Sequence, residues 1–357
     1  MYFSTTFISV LVSSSAVFAR PNPISNPSYG PVPGQSALYN TYRGKAPPFP
    51  ATFPSAVLPT KKGPPGPDDL LFQNLLSAEW IIYSFYQTGV EVFNASSFTA
   101  IGMPNNTYDR ITEIRDNEAG HLRIFQDQIS ATSIKPGKCE YDFGVGTDAE
   151  LFLAIQLLLE LASMAFLTGL EYQAKSQFTH GALLAIAEVE TRHNTWALDE
   201  IWRTGPFSGP SDTVFPYANQ ILDSTNQFVL PGSCPKENPE FPSPSQHLPQ
   251  TSYNDTTSEG HPGDEITFIF TEPENQPHFD EGKDYYAVFF HSVSNISVPF
   301  DTKTNCSKIP SQFDAGRGLI VAVIADEVGA PTEESVVAGP ALLLQQPEAL
   351  TATTGKS

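Results

Sequence analysis

Apolar residues recur with helical spacing in four segments between residues 68 and 203. Residues three and four apart lie on the same face of a helix, so each segment predicts an amphipathic helix. The four segments are DDLLFQNLLSAEWIIYSFYQTGV, TYDRITEIRDNEAGHLRIFQDQIS, DAELFLAIQLLLELASMAFLTGLEYQAK and GALLAIAEVETRHNTWALDEIW. We therefore predict a four-helix bundle, with Asp68 or Asp69 capping its first helix.

Each predicted helix carries ionisable side chains on its apolar face. The first and third helices each have a single glutamate there, and the second and fourth each have a Glu-x-x-His pair, whose i, i+3 spacing places both side chains on one side. A buried carboxylate costs several kcal/mol unless it is neutralised. This order of donors is typical of a dinuclear iron or manganese site inside a helix bundle. The six candidate metal ligands are Glu79, Glu118, His121, Glu160, Glu190 and His193.

The lengths of the connections agree with this bundle. Between the second and third helices, from Ser130 to Thr147, about 16 residues can span roughly 50 Å when extended. Placing Glu118 and Glu160 at one level requires only about 37 Å, at about 1.5 Å per helical residue. The short link near residues 176–180 is typical of an antiparallel hairpin.

Four motifs, EWIIYSFY, EIRDNEAGH, LLELASMAFLTG and AIAEVETRH, give the chain a family resemblance. Over about residues 68–202 it resembles the ferritin-like proteins found among plant desiccation-related proteins and fungal Rds-type stress-response and late-sexual-development secreted proteins. The resemblance implies that the same six side chains bind two iron or manganese ions. Tyr86 lies seven residues after Glu79 on the same face, so it is either a hydrogen-bond donor to a ligand carboxylate or a core tyrosine.

The donor set defines the expected chemistry. Carboxylates with one imidazole per metal suit iron and manganese better than copper or zinc. Either the two Glu-x-x-His glutamates or the two single glutamates bridge the metals. We expect a secreted dinuclear metal protein that handles oxygen, peroxide or iron in oxidative stress or development, as a catalase-, peroxidase- or ferroxidase-like oxidoreductase. The alternative is a structural or adhesive cell-surface protein with a metal-free bundle as scaffold and a β domain that binds cell-wall glycan or protein.

Several features predict export to the cell exterior or the cell wall. Residues 1–19 combine a short apolar run with a Val-x-Ala pattern before Arg20, which is typical of a secretory signal peptide. Of three cysteines, we pair Cys139 with Cys234, because this disulfide would pin the long link, although the sequence leaves other pairings open. The candidate N-glycosylation sites are Asn94, Asn105, Asn254, Asn295 and Asn305.

The rest of the chain completes an α+β multidomain organisation. Beyond the signal peptide, a Pro-rich arm (20–67) precedes the bundle (68–230), which includes a candidate short fifth helix. A Pro/Ser-rich linker (231–262) leads to a small immunoglobulin-like β-sandwich (263–348) and a tail (349–357). The predicted strands are 265–271, 284–300, 318–325 and 336–346.

Charge and motifs exclude other classes of function. The formal net charge of -20 argues against binding to nucleic acid, which requires basic surfaces. We expect no membrane span, because Gln156 and Glu160 interrupt the apolar third helix. His261, His278 and His291 lack a regular spacing, so we do not assign them to a site. The sequence contains no nucleophile elbow, phosphate loop or dinucleotide fingerprint.

Overall fold

A computed structural model describes residues 55–203, 215–254, 262–291, 294–313 and 318–345. The predicted signal peptide, most of the Pro-rich arm, the tail and His261 lie outside the described residues. The described chain forms a helical region followed by a β region of two antiparallel sheets.

The four predicted helices and the candidate short fifth helix form, and a further short helix lies in the first connection. In chain order the helices are α1 (Asp69–Val92), α2 (Ala95–Thr99), α3 (Thr107–Gln128), α4 (Ala149–Glu171), α5 (Gln177–Trp196) and α6 (Ala218–Ser224). Helix α5 continues into a π-helical turn at Ala197–Ile201, and α6 continues into a 3-10 turn at Thr225–Phe228. Helix α2 lies in the first connection, where Asn94 caps it through a capping box with Ser97.

Two glycines allow close packing onto α4. The ring of Phe152 lies where a Cβ at Gly89 of α1 would be. At Gly169 of α4, a Cβ would lie 2.9 Å from the Phe215 carbonyl oxygen and from the Ala218 Cβ. Because glycine has no side chain, the start of α6 packs directly against the α4 backbone.

The two aspartates expected at the start of α1 stabilise other segments instead. Asp68 occupies the N-cap position of α1 but makes no side-chain cap hydrogen bond there. Its carboxylate accepts hydrogen bonds from Lys175 N (2.8 Å), Ser176 N (3.1 Å) and Thr179 Oγ1 (2.6 Å) at the α4–α5 turn. Asp69 accepts hydrogen bonds from Ser130 and other residues that begin the long crossover. Asp68 therefore stands at the predicted N-cap position, but its side chain bonds to the α4–α5 turn instead of to the first turn of α1.

The long crossover between α3 and α4 is fixed to its neighbours. Its first half pairs with the preceding arm through an antiparallel bridge between Val57 and Lys135. Its second half pairs with the segment after α6 through a bridge between Tyr141 and Val229. The disulfide between Cys139 and Cys234 joins the same two segments. The third cysteine, Cys306, is free.

The described part of the β region contains seven strands in two antiparallel sheets, where the sequence predicted a sandwich with four strand segments. The strands are β1 (Thr251–Asn254), β2 (Glu265–Phe270), β3 (Tyr286–His291), β4 (Ser294–Pro299), β5 (Cys306–Lys308), β6 (Gly318–Ala325) and β7 (Val336–Gln345). One sheet has the order β1-β2-β5 and the other β4-β3-β6-β7, with antiparallel neighbours. The predicted strand 284–300 is in fact the β3–β4 hairpin. An immunoglobulin-like sandwich is not established by this arrangement.

The larger sheet joins the two regions into one continuous core. On one face, Val288, Phe290 and Val321 pack into the same apolar cluster as the helices. On the other face, Phe289 and Ile320 pack into a second cluster with the smaller sheet. This division follows from the alternation of side chains along a strand.

The segment between helices and strands packs against both regions. Asn74 of α1 exchanges two hydrogen bonds with the Ser243 backbone, and Asn238 exchanges two with the Gly137 backbone. The Gln246 side chain donates to the Glu333 carbonyl of the β region. The predicted linker is therefore bonded to the bundle along much of its described length.

Helix α4 is the most apolar element of the bundle. Of the helices in the described part of the chain, α4 alone has the length and composition of a membrane span. Its most apolar 18-residue window has a mean hydropathy of 2.0. Gln156 and Glu160 do not lower its hydropathy as far as we expected. However, 78% of that window is buried by the surrounding protein. The burial is typical of a core helix.

Candidate metal centre

The six predicted ligands meet in the middle of the bundle. Each of the four long helices contributes at least one, and none of the six is more than 5% exposed. The donor atoms form two groups, within each of which they lie less than 4.8 Å apart. The first group is Glu79, Glu118, His121 and Glu190, and the second is Glu118, Glu160, Glu190 and His193. The two Glu-x-x-His glutamates belong to both groups, whereas each single glutamate belongs to one.

In the first group, the carboxylates surround one imidazole nitrogen. His121 Nδ1 lies 2.9 Å from Glu118 Oε2, 3.3 Å from Glu79 Oε1 and 3.3 Å from Glu190 Oε1. These three glutamates come from α3, α1 and α5, so the contacts hold three helices at one level.

The second group repeats the pattern on the other side. His193 Nδ1 lies 3.1 Å from Glu118 Oε1, 3.4 Å from Glu160 Oε2 and 3.7 Å from Glu190 Oε2. Each shared glutamate therefore directs one oxygen toward each histidine. This is the arrangement by which a carboxylate can serve two neighbouring cations.

The centre has more buried acceptors than the protein can satisfy. In the described part of the chain, no well-aligned hydrogen bond reaches one oxygen of each of the four glutamates. Nor does an ion pair between described residues bring Lys or Arg to these carboxylates. Four buried carboxylates facing two imidazoles leave an excess of negative charge, which is costly in an apolar interior. The residues therefore fit a cation, and their oxygen-rich donors fit iron or manganese.

The pKa values of the carboxyl groups reflect this crowding. Burial raises the pKa of Glu79 well above its usual value, and the charge of Glu118 raises it further. Burial also raises the pKa of Glu160 well above its usual value, against the opposing charge of His193. Burial acts on Glu118 and Glu190 in the same direction, but their contacts with the histidines leave both pKa values below the usual value.

The pKa values of both histidines are raised, because the neighbouring carboxylates favour the protonated imidazole. Burial lowers the pKa of His121, but Glu118, Glu190 and Glu79 together outweigh burial and hold the pKa well above its usual value. Burial likewise lowers the pKa of His193, and Glu160, Glu118 and Glu190 together raise it well above its usual value. Without a metal, protons therefore supply the positive charge that the centre requires. A metal that binds there must displace them.

Tyr86 and Asn117 contact the ligands from outside. The Tyr86 hydroxyl, which is fully buried, donates a hydrogen bond to Glu160 Oε1. Burial, together with the charge of Glu160, raises the pKa of Tyr86 well above its usual value, so the phenol keeps its proton. Tyr86 therefore donates a hydrogen bond to a candidate ligand, and it also packs in the apolar core of the bundle, so both roles considered from the sequence apply.

Asn117 was not predicted as part of the centre. Its side-chain Nδ2 lies 3.1 Å from His193 Nε2, the nitrogen that faces away from the carboxylates. A histidine that gives Nδ1 to a metal carries its proton on Nε2, so it requires the Asn117 amide turned with its oxygen toward the ring. The signal in the sequence was weak, because Asn117 immediately precedes Glu118 and points away from the main apolar stripe.

The acidic residues and histidines that we did not assign to the site lie elsewhere. Glu171 forms an ion pair with His180 at 2.9 Å, with both side chains about one-third exposed. His278 is 88% exposed in its side chain, and the Nδ1 of buried His291 lies 3.0 Å from the Leu319 carbonyl.

The candidate glycosylation sites lie outside the bundle core. Asn94, Asn105 and Asn295 are exposed, and Asn305 is partly buried with a positive φ of 56°. Asn254 lies on β1, and its side chain is outside the described part.

Comparison with known families agrees with the geometry. Residues 68–201 match the family model of the ferritin-like domain. A search of curated proteins finds no match to the chain. The helical region is thus a ferritin-like domain, and buried acidic and histidine groups that could bind metal lie inside it.

Proposed function

We propose that this protein is a secreted metalloprotein whose ferritin-like domain holds two iron or manganese ions and acts on oxygen or peroxide during stress or development. One observation carries the proposal: two groups of buried donors share Glu118 and Glu190, and each group has one histidine and one further glutamate of its own. Bound cations would neutralise the excess negative charge of this set in place of the protons that it holds without a metal.

The two shared glutamates are the proposed bridging ligands. Each directs one oxygen toward His121 and the other toward His193, so a single carboxylate reaches both cation positions. Glu79 and Glu160 are the proposed terminal carboxylates, because each belongs to one group only. Of the two bridging schemes, the geometry favours the Glu-x-x-His glutamates.

The surrounding residues prepare the centre for redox chemistry. The six side chains would hold iron or manganese, which would supply electrons for the reduction of oxygen or peroxide. Tyr86 fixes the orientation of Glu160 through its hydrogen bond, and Asn117 fixes the ring of His193. The four carboxylates are at most 3% exposed, so they have little contact with bulk water.

Export is supported by independent features. The apolar N-terminal run precedes a small-residue cleavage pattern. The Cys139–Cys234 disulfide is typical of an oxidising compartment, and three of the glycosylation motifs have exposed asparagines. N-terminal sequencing of protein from the culture medium should start near Arg20, whereas full-length protein retained inside cells would contradict export.

Metal analysis tests the central proposal. The full chain, secreted from a eukaryotic host, is dialysed against Fe²⁺ or Mn²⁺ and measured by elemental analysis beside Glu118→Ala and His193→Ala. We expect about two ions per chain in the wild type and a loss of at least one in each variant. Glu171→Ala is the matched control, because Glu171 also pairs with a histidine but lies outside the centre. Equal, negligible metal in all four proteins would contradict the proposal and favour a metal-free scaffold.

The adhesive alternative requires a free surface on the β region. The larger sheet uses one face for the helices and the other for the smaller sheet. A partner would therefore have to bind loops or the smaller sheet. Because the two regions share one core, deletion of the β region would damage the bundle and cannot separate the two functions.

A further inference from the structure

A cleft separates α3 from α5 beside the metal centre. Its volume is about 710 Å³, and its lining comes entirely from these two helices. His121 and His193 both line it, so the cleft reaches the candidate ligands.

The walls of the cleft are mostly apolar. Ile114 and Ile186 are buried, and Val189 and Trp196 are partly buried. A passage for oxygen or peroxide requires only the width of a water molecule. The volume is instead within the range of pockets that hold small organic molecules, about 300–1,000 Å³.

The mouth of the cleft has the opposite charge to the chain as a whole. Arg110, Glu113 and Arg192 line it, which gives a local excess of one positive charge in a chain of formal net charge -20. Glu113 is already paired with Arg110, whereas Arg192 is exposed. A route for Fe²⁺ would be expected to carry unpaired carboxylates at its mouth. This mouth instead favours an anion.

We infer that the cleft binds a small organic molecule with an apolar body and one anionic group, placing the body beside His121 and His193 and the anionic group near Arg192. The inference rests on the proposed function in that it makes this molecule the substrate of the metal centre. It makes oxygen or peroxide the oxidant of an organic substrate, and it sets aside iron itself as the substrate.

Binding of a matched pair of probes tests this inference. We use 2-naphthoate and its neutral counterpart 2-naphthamide, which share one apolar body, and titrate each into the full-length protein by calorimetry. Val189→Phe fills the cleft, and Leu184→Phe is its control on the same helix, because Leu184 is 59% exposed and does not line the cleft. Arg192→Gln removes the charge at the mouth, with exposed Lys308→Gln of the β region as control. Circular dichroism verifies that every variant is folded.

We expect saturable binding of one 2-naphthoate per chain. Val189→Phe should weaken both probes at least about ten-fold, whereas Leu184→Phe leaves both unchanged. Arg192→Gln should weaken 2-naphthoate about two- to five-fold, the effect of one exposed ion pair, and leave 2-naphthamide unchanged. Absence of saturable binding, binding that Val189→Phe does not affect, or equal affinity for both probes would each overturn the inference.

The titrations are made on metal-free and metal-loaded protein, so that the two proposals fail separately. Probe binding in the cleft of a protein that takes up no metal would contradict the proposed function and leave the inference on the cleft standing. Metal uptake without probe binding would support the proposed function and overturn the inference on the cleft.

Discussion

The interior of the bundle and the interior between the two sheets differ in what they bury. At the level of Glu118 the bundle buries four carboxylates and two imidazoles, with unsatisfied oxygens. Among the described residues of the β region, His291 is the one buried side chain of the Asp, Glu, His, Lys and Arg types. Its Nδ1 lies 3.0 Å from the Leu319 carbonyl oxygen, and its buried Nε2 has no hydrogen-bond partner. The comparison shows that one chain places buried charges in only one of two cores. The core of the β region buries a single imidazole, whereas the bundle centre buries six such side chains and keeps one oxygen of each glutamate available for a ligand.

The largest expected effect is in the β core. Phe289 is fully buried between the sheets, so Phe289→Ala should lower the free energy of unfolding by about 3–5 kcal/mol. Denaturant unfolding followed by near-ultraviolet circular dichroism measures the change. Ile269→Ala on β2, where the residue is 41% exposed, is the control and should cost less than about 1 kcal/mol. If Phe289→Ala lowered the free energy of unfolding no more than Ile269→Ala does, the β core would not be the stabilising core that this comparison requires.

The next effect concerns the contact of Asn117 with His193. Asn117→Leu removes the partner of the outer imidazole nitrogen, and loss of such contacts typically weakens metal binding by about 10- to 100-fold. Competition with a metal chelator measures the affinity. Asn117→Asp keeps an acceptor oxygen and should bind metal more tightly than Asn117→Leu. Equal affinity in the wild type and the Leu variant would show that the amide does not position the ring.

Replacement of Glu79 should raise the free energy of unfolding of the metal-free protein, whereas replacement of Phe289 should lower it. Glu79 is buried, and one of its oxygens lacks a well-aligned hydrogen bond, so Glu79→Leu should stabilise the metal-free protein by about 1–2 kcal/mol. His121 retains Glu118 and Glu190 as partners in this variant. Thermal unfolding with and without Mn²⁺ makes the measurement, and added metal should stabilise the wild type more than the variant. Destabilisation of the metal-free variant would indicate that Glu79 is a structural residue.

The smallest effect is at a buried acid that is fully paired. Hydrogen bonds from Thr179, Lys175 and Ser176 outweigh burial and lower the pKa of Asp68. A lowered pKa in the folded state gives stability above the unfolded pKa of about 3.9, and this stability is lost as the pH falls through the folded value. Asp68→Asn should therefore cost about 1 kcal/mol at pH 7 and progressively less below about pH 4. Denaturant midpoints from pH 7 to pH 3 would contradict this if the difference stayed constant.

Much of the bundle could be predicted from the sequence, because its signals are local. Helical periodicity located the four long helices, and the i, i+3 spacing of Glu118 with His121 and of Glu190 with His193 placed the donors on inward faces. The sharing of two glutamates by both groups could not be predicted, since it depends on the rotation of each helix about its own axis. Asn117 and the cleft depend on the separation of α3 from α5, which no local pattern encodes.

The β region was less predictable for physical reasons. The β3–β4 hairpin lies in a continuous apolar run, and its connection at residues 292–293 reads Ser-Val, without the Asn-Gly signal of a tight turn. Strands β1 and β5 are only four and three residues long, too short for a period of two to be recognised. The sequence did not predict that the helices and the larger sheet share one core. The apolar residues along β3 indicate that both of its faces are buried, but they do not show that the helices cover one face and the smaller sheet the other.

Anomalous X-ray scattering from crystals of the full-length protein loaded with Fe²⁺ or Mn²⁺ tests the central claim most directly. The account predicts two anomalous peaks inside the bundle, both in contact with Glu118 and Glu190, one beside His121 and the other beside His193. Loaded crystals with no peak among these six side chains would contradict it.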